Sequence, residues 1–365
     1  MRLDRLPLTY AESRARFLRA AEGAGVQPHA RAIAATGPDG ARLWIDTVVV
    51  GTPAPRRALG TPAPRRALCV LSGVHGVEGF AGSALQADLL DRLEPAALPA
   101  DMAVVLVHAV NPWGMAWWRR QNESNVDLNR NWGRDEGVPA HNDAYDEVHA
   151  LACPDTPTLP SVDGLVTDAL ALVAERGEQW VRDAVTAGQY RHPDGLHFGG
   201  ERTEESNRVL EAVVAQHLAG LEELLVVDLH TGDGPRGALT HLCGTGPGSA
   251  SDRFLRQVFG DDAVRTGNGP GPGRIAPGVL ALAAPARGHC TTLELGTATD
   301  EEQLVATYRE QWVHRHGDRV RPEHAAAVWA YRECFTPDDP QWERTVLPHG
   351  ARHLDLAVAA VAAGL

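Results

Sequence analysis

A histidine and a glutamate stand three residues apart in the stretch 69–82, CVLSGVHGVEGFAG, directly after a short apolar run. In this His-x-x-Glu arrangement, His75 and Glu78 can aim one imidazole and one carboxylate at the same metal ion. The alternative is structural: Glu78 would interact with the dipole at the start of the next helix, and His75 would be a turn residue. Glycines at 73, 76 and 79 favour a metal site, because glycine lets the backbone come close to a ligand.

A second histidine closes the apolar run in VVDLHTGDG, residues 226–234. Asp228 and His230 lie on one face of the predicted strand, so the carboxylate can fix the tautomer of the imidazole. His230 taken alone could equally be a buried histidine that bonds to the backbone. With His75 and Glu78 it completes a set of two histidines and one glutamate. Such a set leaves a fourth position open, which is typical of catalytic rather than structural zinc.

The segment WWRRQNESNVDLNRNW, residues 117–132, is dense in side chains that are costly to bury. Asn129 and Arg130 together offer an amide and a guanidinium fork suited to a substrate carboxylate. Arg120 could stabilise a developing oxyanion, and Asp127 could orient a metal-bound histidine. A solvated charged loop is the alternative, although the tryptophans of the segment favour a packed one.

An acidic residue interrupts the predicted strand TTLELGTA, residues 291–298, between two leucines. Glu294 is therefore either paired structurally or functional. Beside a metal ion it could take a proton from water and hand it to a leaving nitrogen.

Alternating strands and helices must position these residues, and they predict a single α/β domain with a central mixed, mostly parallel sheet flanked by helices. Ligands of such sheets sit beyond the carboxyl ends of the strands, where the candidate residues fall. The predicted strands are 41–51, 67–73, 102–110, 223–229, 238–244 and 289–296. The predicted helices are 9–25, 78–93, 162–187, 203–220, 300–333 and 350–363, whereas 111–160 is a polar stretch without clear periodicity and 267–278 a loop.

We predict one catalytic domain over 1–365, elaborated by an N-terminal helical segment at 1–40 and C-terminal helices at 300–365. A third elaboration is the duplicated loop at 51–68, where GTPAPRRAL occurs twice in succession. A nine-residue copy is too short for a repeat architecture. A tolerated loop insertion is favoured over a recruited basic arm, because surface loops absorb insertions at little cost.

Composition excludes several classes of protein. A formal charge of −13 argues against a general nucleic-acid binder, and no stretch is long and apolar enough to predict a membrane span. Five scattered cysteines without a Cys-x-x-Cys pair favour reduced thiols. The charged N-terminal residues lack the apolar core of a signal peptide, so a cytoplasmic location is expected. The oligomeric state is not predicted.

The order and spacing of these motifs over roughly residues 40–300 resemble the zinc carboxypeptidases and their relatives, the aspartoacylase and succinylglutamate desuccinylase group. The resemblance implies one Zn²⁺ held by His75, Glu78 and His230, and Glu294 as general base. It also places Arg120 as the oxyanion arginine, with Asn129 and Arg130 binding a substrate carboxylate. The stretch GQYRHPDGLHFGG, residues 188–200, resembles a feature of a bacterial branch. Its Tyr190, His192 and His197 would belong to a lid or, as we favour, to a structured loop.

The chain departs from the carboxypeptidases in one respect. They carry a tyrosine between the third ligand and the base, and residues 231–293 contain none. The expected function is zinc-dependent hydrolysis of an amide bond near a carboxylate, on a small molecule or a short peptide. Deacylation of small N-acyl amino acids is the first alternative, and a non-catalytic zinc-fold binding protein is the second. A serine hydrolase is disfavoured, because no Gly-x-Ser-x-Gly motif is present.

Overall fold

An eight-stranded mixed sheet forms the centre of the molecule in a computed structural model that describes residues 6–51, 64–137, 141–267 and 271–365. Its strands lie in the order β1-β2-β4-β3-β5-β8-β6-β7. The pairs β4–β3, β3–β5, β5–β8 and β6–β7 are parallel, and the other three are antiparallel. The strands are β1 His29–Thr36, β2 Arg42–Gly51, β3 Arg66–Ser72, β4 Met102–His108, β5 Glu223–Gly232, β6 Leu239–Cys243, β7 Val264–Thr266 and β8 Arg287–Gly296.

Helices cover both faces of this sheet. Their bounds are α1 Tyr10–Gly23, α2 Gly79–Arg92, α3 Pro112–Trp117, α4 Asp143–Ala152, α5 Val162–Arg176, α6 Glu178–Thr186, α7 Glu205–His217, α8 Ala250–Phe259, α9 Ile275–Ala283, α10 Asp300–His316, α11 Pro322–Phe335 and α12 Pro340–Ala363. One apolar core joins α2, α8 and α12 to the sheet, and a second joins α7 and α9 to its other face. The continuous apolar runs of β3, β4 and β5 follow from this, since every residue of β4 and β5 is buried.

The register of the parallel strands brings their carboxyl ends to one edge. Leu71 of β3 pairs with Asp228 of β5, and His230 of β5 pairs with Glu294 of β8. At the opposite edge, β2 ends and β3 begins beside the start of the strand between them. There Gly51 pairs with Ala103 and Arg66 with Met102 of β4.

The predicted fold class is confirmed, and the six predicted strands are present with shifts of a few residues at their ends. The N-terminal segment 1–40 is not wholly helical, because β1 follows α1. This edge strand is mostly exposed, so its sequence HARAIAAT lacks the apolar run that predicts a strand. The short strand β7 also escaped prediction. Of the duplicated loop predicted at 51–68, residues 52–63 lie outside the described residues. The ends of that range are strand rather than loop, because Gly51 ends β2 and residues 66–68 begin β3.

Several helices differ from their predicted bounds for local reasons. The helix predicted at 162–187 is two helices, because Gly177 between them has a φ of 87°. The last helix starts at Pro340 rather than 350, since proline is accepted in the first turn of a helix. The segment 267–278 was expected to be a loop, but α9 begins within it at Ile275, and the polar stretch 111–160 contains α3 and α4.

Among the described residues, no helix combines the length and apolarity needed to cross a membrane. All five cysteines are free thiols.

Candidate metal centre and active site

Three side chains from two strand ends converge at the carboxyl edge of the sheet. His75 lies in the turn after β3, Glu78 lies at the start of α2, and His230 lies in β5. All three side chains are nearly inaccessible to solvent. His75 Nδ1 is 3.0 Å from His230 Nδ1 and 2.9 Å from Glu78 Oε1, and His230 Nδ1 is 2.9 Å from Glu78 Oε2. Two imidazoles and a carboxylate thus present their donor atoms to one point.

Each histidine has a carboxylate behind it. His75 Nε2 is 3.3 Å from Asp127 Oδ1, and His230 Nε2 is 2.8 Å from Asp228 Oδ2. A proton on each Nε2, facing these acids, leaves the lone pair of each Nδ1 directed at the other ring and at Glu78. Lone pairs so close together repel unless a positive charge lies among them. This arrangement of carboxylate, histidine and shared point is the one that metal sites use, and the donor set fits zinc.

Backbone packing holds the turn that carries His75. A Cβ atom on Gly76 would lie 2.0 Å from the carbonyl carbon of Gly114, so only glycine fits there. The amide of Val77 donates to the carbonyl of Arg119. Close approach of a ligand was the expected reason for the glycines of this turn. At Gly76 the closely approaching group is instead the backbone of α3 and its flanking loop.

The charges around the three side chains favour a cation. Burial raises the pKa of Glu78, but His75 and His230 outweigh it and hold that pKa below its usual range. Burial lowers the pKa of His230, but Asp228 and Glu78 outweigh it and raise that pKa well above the ordinary value. The three side chains therefore stabilise a positive charge at this point, such as a proton on His230.

Glu294 stands next to this group, because it pairs with His230 in the sheet register and its side chain is on the same face. Its Oε2 is buried without a hydrogen-bond partner among the described residues. Burial raises the pKa of Glu294 to about 7, and the negative charge of Glu78 adds to the rise while His230 opposes it. A carboxyl group with a pKa near neutrality can both accept and release a proton at physiological pH.

Arg120 reaches the same region from the loop after α3. Its Nη1 donates to Glu78 Oε1 at 3.0 Å, and its Nε donates to Asp127 Oδ2 at 3.1 Å. Asp127 also accepts the backbone N–H of Asn129 and lies 3.1 Å from His197 Nδ1. Asp127 thus connects the proposed metal ligand His75 to the Asn-Arg segment.

Asn129 and Arg130 lie in a 3₁₀ turn directly after Asp127, and both are buried. The Oδ1 of Asn129 accepts the N–H of Ile275 at 2.9 Å. Arg130 donates from Nη1 to the carbonyl of Asn129 and from Nη2 to the carbonyl of Thr186. The structure brings this pair close to Asp127, but part of its hydrogen-bonding capacity is used within the protein.

The segment 188–200 is a folded loop held by its own backbone. Gln189 and His197 are joined by an N–H to carbonyl bond of 3.1 Å, and the amide of Gly199 donates to Gln189. Tyr190 donates its hydroxyl to the carbonyl of Arg130 at 2.6 Å, whereas His192 turns outward to Asp146. His197 adopts a φ of 53°, unusual for a residue other than glycine, and so reaches Asp127.

Sequence reasoning missed Arg274, which precedes α9 in the glycine-rich segment that was expected to be a loop. Burial lowers the pKa of Arg274, while Asp127 and Glu294 raise it and Arg120 lowers it further. The backbone on both sides of Arg274 contacts the Asn-Arg segment of the candidate site, through Ile275 and Asn129 and through Gly273 and Arg130. The available signal was a lone charged residue within GNGPGPGRIAPG, residues 267–278.

Solved structures match this chain at low sequence identity. Thrombin activatable fibrinolysis inhibitor matches with a TM-score of 0.50 at 10% identity, over 98% of this chain and 75% of that one. Carboxypeptidase A from Helicoverpa armigera matches with 0.46 at 16%, over 90% and 75%. A succinylglutamate desuccinylase from Silicibacter sp. TM1040 matches with 0.41 at 11%, over 80% and 67%. The chain shares its fold with thrombin activatable fibrinolysis inhibitor, in agreement with the predicted fold class.

No curated protein matches the chain in sequence. One family model does match, and it spans residues 7–349. The chain therefore belongs to the family described as "Protein of unknown function (DUF2817)".

Proposed function

We propose that this chain is a zinc-dependent hydrolase that cleaves an amide bond close to a carboxylate of its substrate. The observation that carries the proposal is the convergence of His75, Glu78 and His230, with donor atoms within 4.8 Å of one another. Both histidines are backed by a carboxylate, and Glu294 stands beside them without a partner for its Oε2. A purely structural cluster of buried ion pairs would not require this unpartnered acid.

In the proposed reaction, His75, Glu78 and His230 would hold Zn²⁺, which when bound would supply the Lewis acidity that activates water at neutral pH. Glu294 takes the proton of the attacking water and passes it to the leaving nitrogen. Arg120 stabilises the negative charge that develops on the carbonyl oxygen. Asn129 and Arg130 line the position of the substrate carboxylate, and hydrogen bonds to neighbouring backbone keep both side chains fixed there.

The substrate is either a short peptide or a small N-acyl amino acid. The sequence lacks a tyrosine between His230 and Glu294, and the structure puts the hydroxyl of Tyr190 on the carbonyl of Arg130. A proton donor of the carboxypeptidase kind is thus missing from that part of the sequence. This feature favours the N-acyl amino acid, and Glu294 alone then serves the leaving nitrogen.

The test combines metal analysis with an amide-substrate panel. We expect one equivalent of zinc per chain, and hydrolysis that a chelator abolishes and added zinc restores. Glu294→Gln should reduce turnover by about 10²- to 10⁴-fold, because it removes the general base, and it should leave the zinc content unchanged. Glu301→Gln, an exposed glutamate of α10, is the matched control.

Three outcomes would contradict the proposal. Near-normal turnover by Glu294→Gln would remove the assigned base. Absence of zinc from protein purified without chelator, together with no uptake on titration, would remove the metal centre. Full zinc occupancy without hydrolysis of any peptide or N-acyl amino acid would indicate the non-catalytic binding protein instead.

A further inference from the structure

We infer that Arg274 is a specificity-determining residue that recognises the free carboxylate of the substrate. The inference rests on the proposed function, since it assigns the negatively charged end of the same substrate. It selects N-acyl amino acids and peptides with a free carboxylate over their neutral carboxamides.

The backbone around Arg274 is fixed to the Asn-Arg segment on both sides. The N–H of Trp132 donates to the carbonyl of Gly273 at 3.1 Å, and the N–H of Ile275 donates to Asn129 Oδ1 at 2.9 Å. A Cβ on Gly273 would lie 2.1 Å from the carbonyl oxygen of Arg130, and Gly273 has a φ of 69°. Arg274 is therefore held on a rigid turn that only glycine allows to pack so closely.

The other two arginines of the site already have protein partners. Arg120 donates to Glu78 and Asp127, and Arg130 donates to two backbone carbonyls. The side chain of Arg130 packs closely against Gly188, since a Cβ atom on Gly188 would lie 2.6 Å from Arg130 Cδ. Arg130 thus has little freedom to reorient towards a substrate.

Arg274 differs from them, because its guanidinium has no hydrogen-bond or ion-pair partner in the described parts of the chain. The side chain of Arg274 is half-buried, and its backbone neighbours contact Asn129 and Arg130. A partly desolvated guanidinium is stabilised when an anion pairs with it. Its planar fork fits a carboxylate with two parallel hydrogen bonds.

The test uses the zinc-loaded protein and pairs of N-acetyl amino acids and their carboxamides. For Arg274→Gln we expect KM for the acids to rise about 10- to 100-fold, with kcat changed less than threefold, because a charged contact is lost. KM for the carboxamides should stay the same, so the preference for acids disappears. Arg274→Lys should restore part of that preference. Arg65→Gln is the control, because Arg65 is exposed at the opposite edge of the sheet and pairs with Glu222.

Calorimetric titration of metal-free protein with the same N-acetyl amino acids separates this inference from the proposed hydrolysis. Weaker binding of the acids by Arg274→Gln than by wild type supports the inference, even if no substrate is cleaved. Equal binding by the two proteins, or no binding of any acid by wild type, overturns it. An unchanged preference for acids in Arg274→Gln overturns it as well, even when hydrolysis itself proceeds. If Arg274→Gln fails to fold, the comparison of Arg274→Lys with wild type decides.

Discussion

Asp127 and Asp228 each face one histidine of the candidate metal site, but they differ in how many other groups they contact. Asp127 accepts hydrogen bonds from Arg120 and from the backbone of Asn129 besides facing His75. Among the described residues, Asp228 lies within ion-pair distance of His230 alone, so its replacement tests the support of one proposed metal ligand with little further disturbance.

We expect Asp228→Asn to weaken zinc binding about 10- to 100-fold, because a histidine without its carboxylate is a poorer and less oriented ligand. The measurement is a competition titration with a chromogenic chelator. Asp355→Asn provides the control, since Asp355 is exposed on α12 and pairs with Arg92. Equal zinc affinity of Asp228→Asn and wild type would show that Asp228 does not support the metal centre.

Sequence reasoning could select His75, Glu78, His230 and Glu294 because each is a polar residue where an apolar strand ends, and parallel strands end together. The structure does bring these side chains together. Sequence reasoning could not select Arg274. Its position depends on how Gly273 packs against Arg130, which is more than a hundred residues away in the sequence. Nor could it foresee that Asn129 and Arg130 bond to neighbouring backbone, because such bonds depend on the fold of other loops.

At the level of elements, the central strands were predictable, whereas the edge strands β1 and β7 and the short turns were not. The central strands β3, β4 and β5 are buried on both faces along most of their length and therefore contain apolar runs, at 67–71, 102–107 and 224–227. The turn that carries His75 and Glu78 depends on the contact of Gly76 with Gly114, two glycines from separate segments. A sequence pattern contains the glycines but not the element against which each packs.

Helix boundaries depended on single residues whose meaning is ambiguous in a sequence. Gly177 divides one amphipathic stretch into α5 and α6, although isolated glycines within helices are tolerated elsewhere. Pro348 lies inside α12, where a proline usually ends a helix, and this explains why the predicted helix started too late. Packing of α12 on the sheet core compensates for the interruption.

For the whole molecule, buried neutral histidines should set the acid limit of stability. Burial lowers the pKa of His108 to about 3, with a smaller effect from Arg14. His108 stacks on Phe17 and lies 2.9 Å from the hydroxyl of Ser83. His241, stacked on Phe259, also has its pKa lowered well below the ordinary value by burial and by His353.

Because these histidines ionise near pH 6.5 only when unfolded, the unfolded chain binds more protons below that pH. We therefore expect the free energy of unfolding to fall by about 1.4 kcal/mol per pH unit for each such histidine, from pH 6.5 downward. Urea unfolding at pH 7, 6 and 5 measures it. His108→Gln should reduce this slope by about 1.4 kcal/mol per pH unit relative to wild type, because one fewer histidine takes up a proton on unfolding. Parallel slopes for the two proteins would mean that His108 is not neutral when folded.

Because β4 lies between β2 and β3, the segment that joins β2 to β3 must span the width of one intervening strand. This distance sets how far the segment can be shortened. Gly51 is the first residue of the duplication and Arg66 lies in its second copy. The two residues flank the first residues of β4, two strand spacings or about 10 Å apart. Deleting residues 52–60 would leave five residues to join them, and five extended residues reach about 16 Å.

The shortened chain should keep its zinc affinity. Its free energy of unfolding, measured by urea titration, should stay within about 1 kcal/mol of the wild-type value. Loss of folding would instead mean that the nine deleted residues support the sheet. The edge that carries the candidate site and the edge that carries the duplication are separated by the full length of the strands. A change in length at one edge can therefore leave the geometry of the other unchanged.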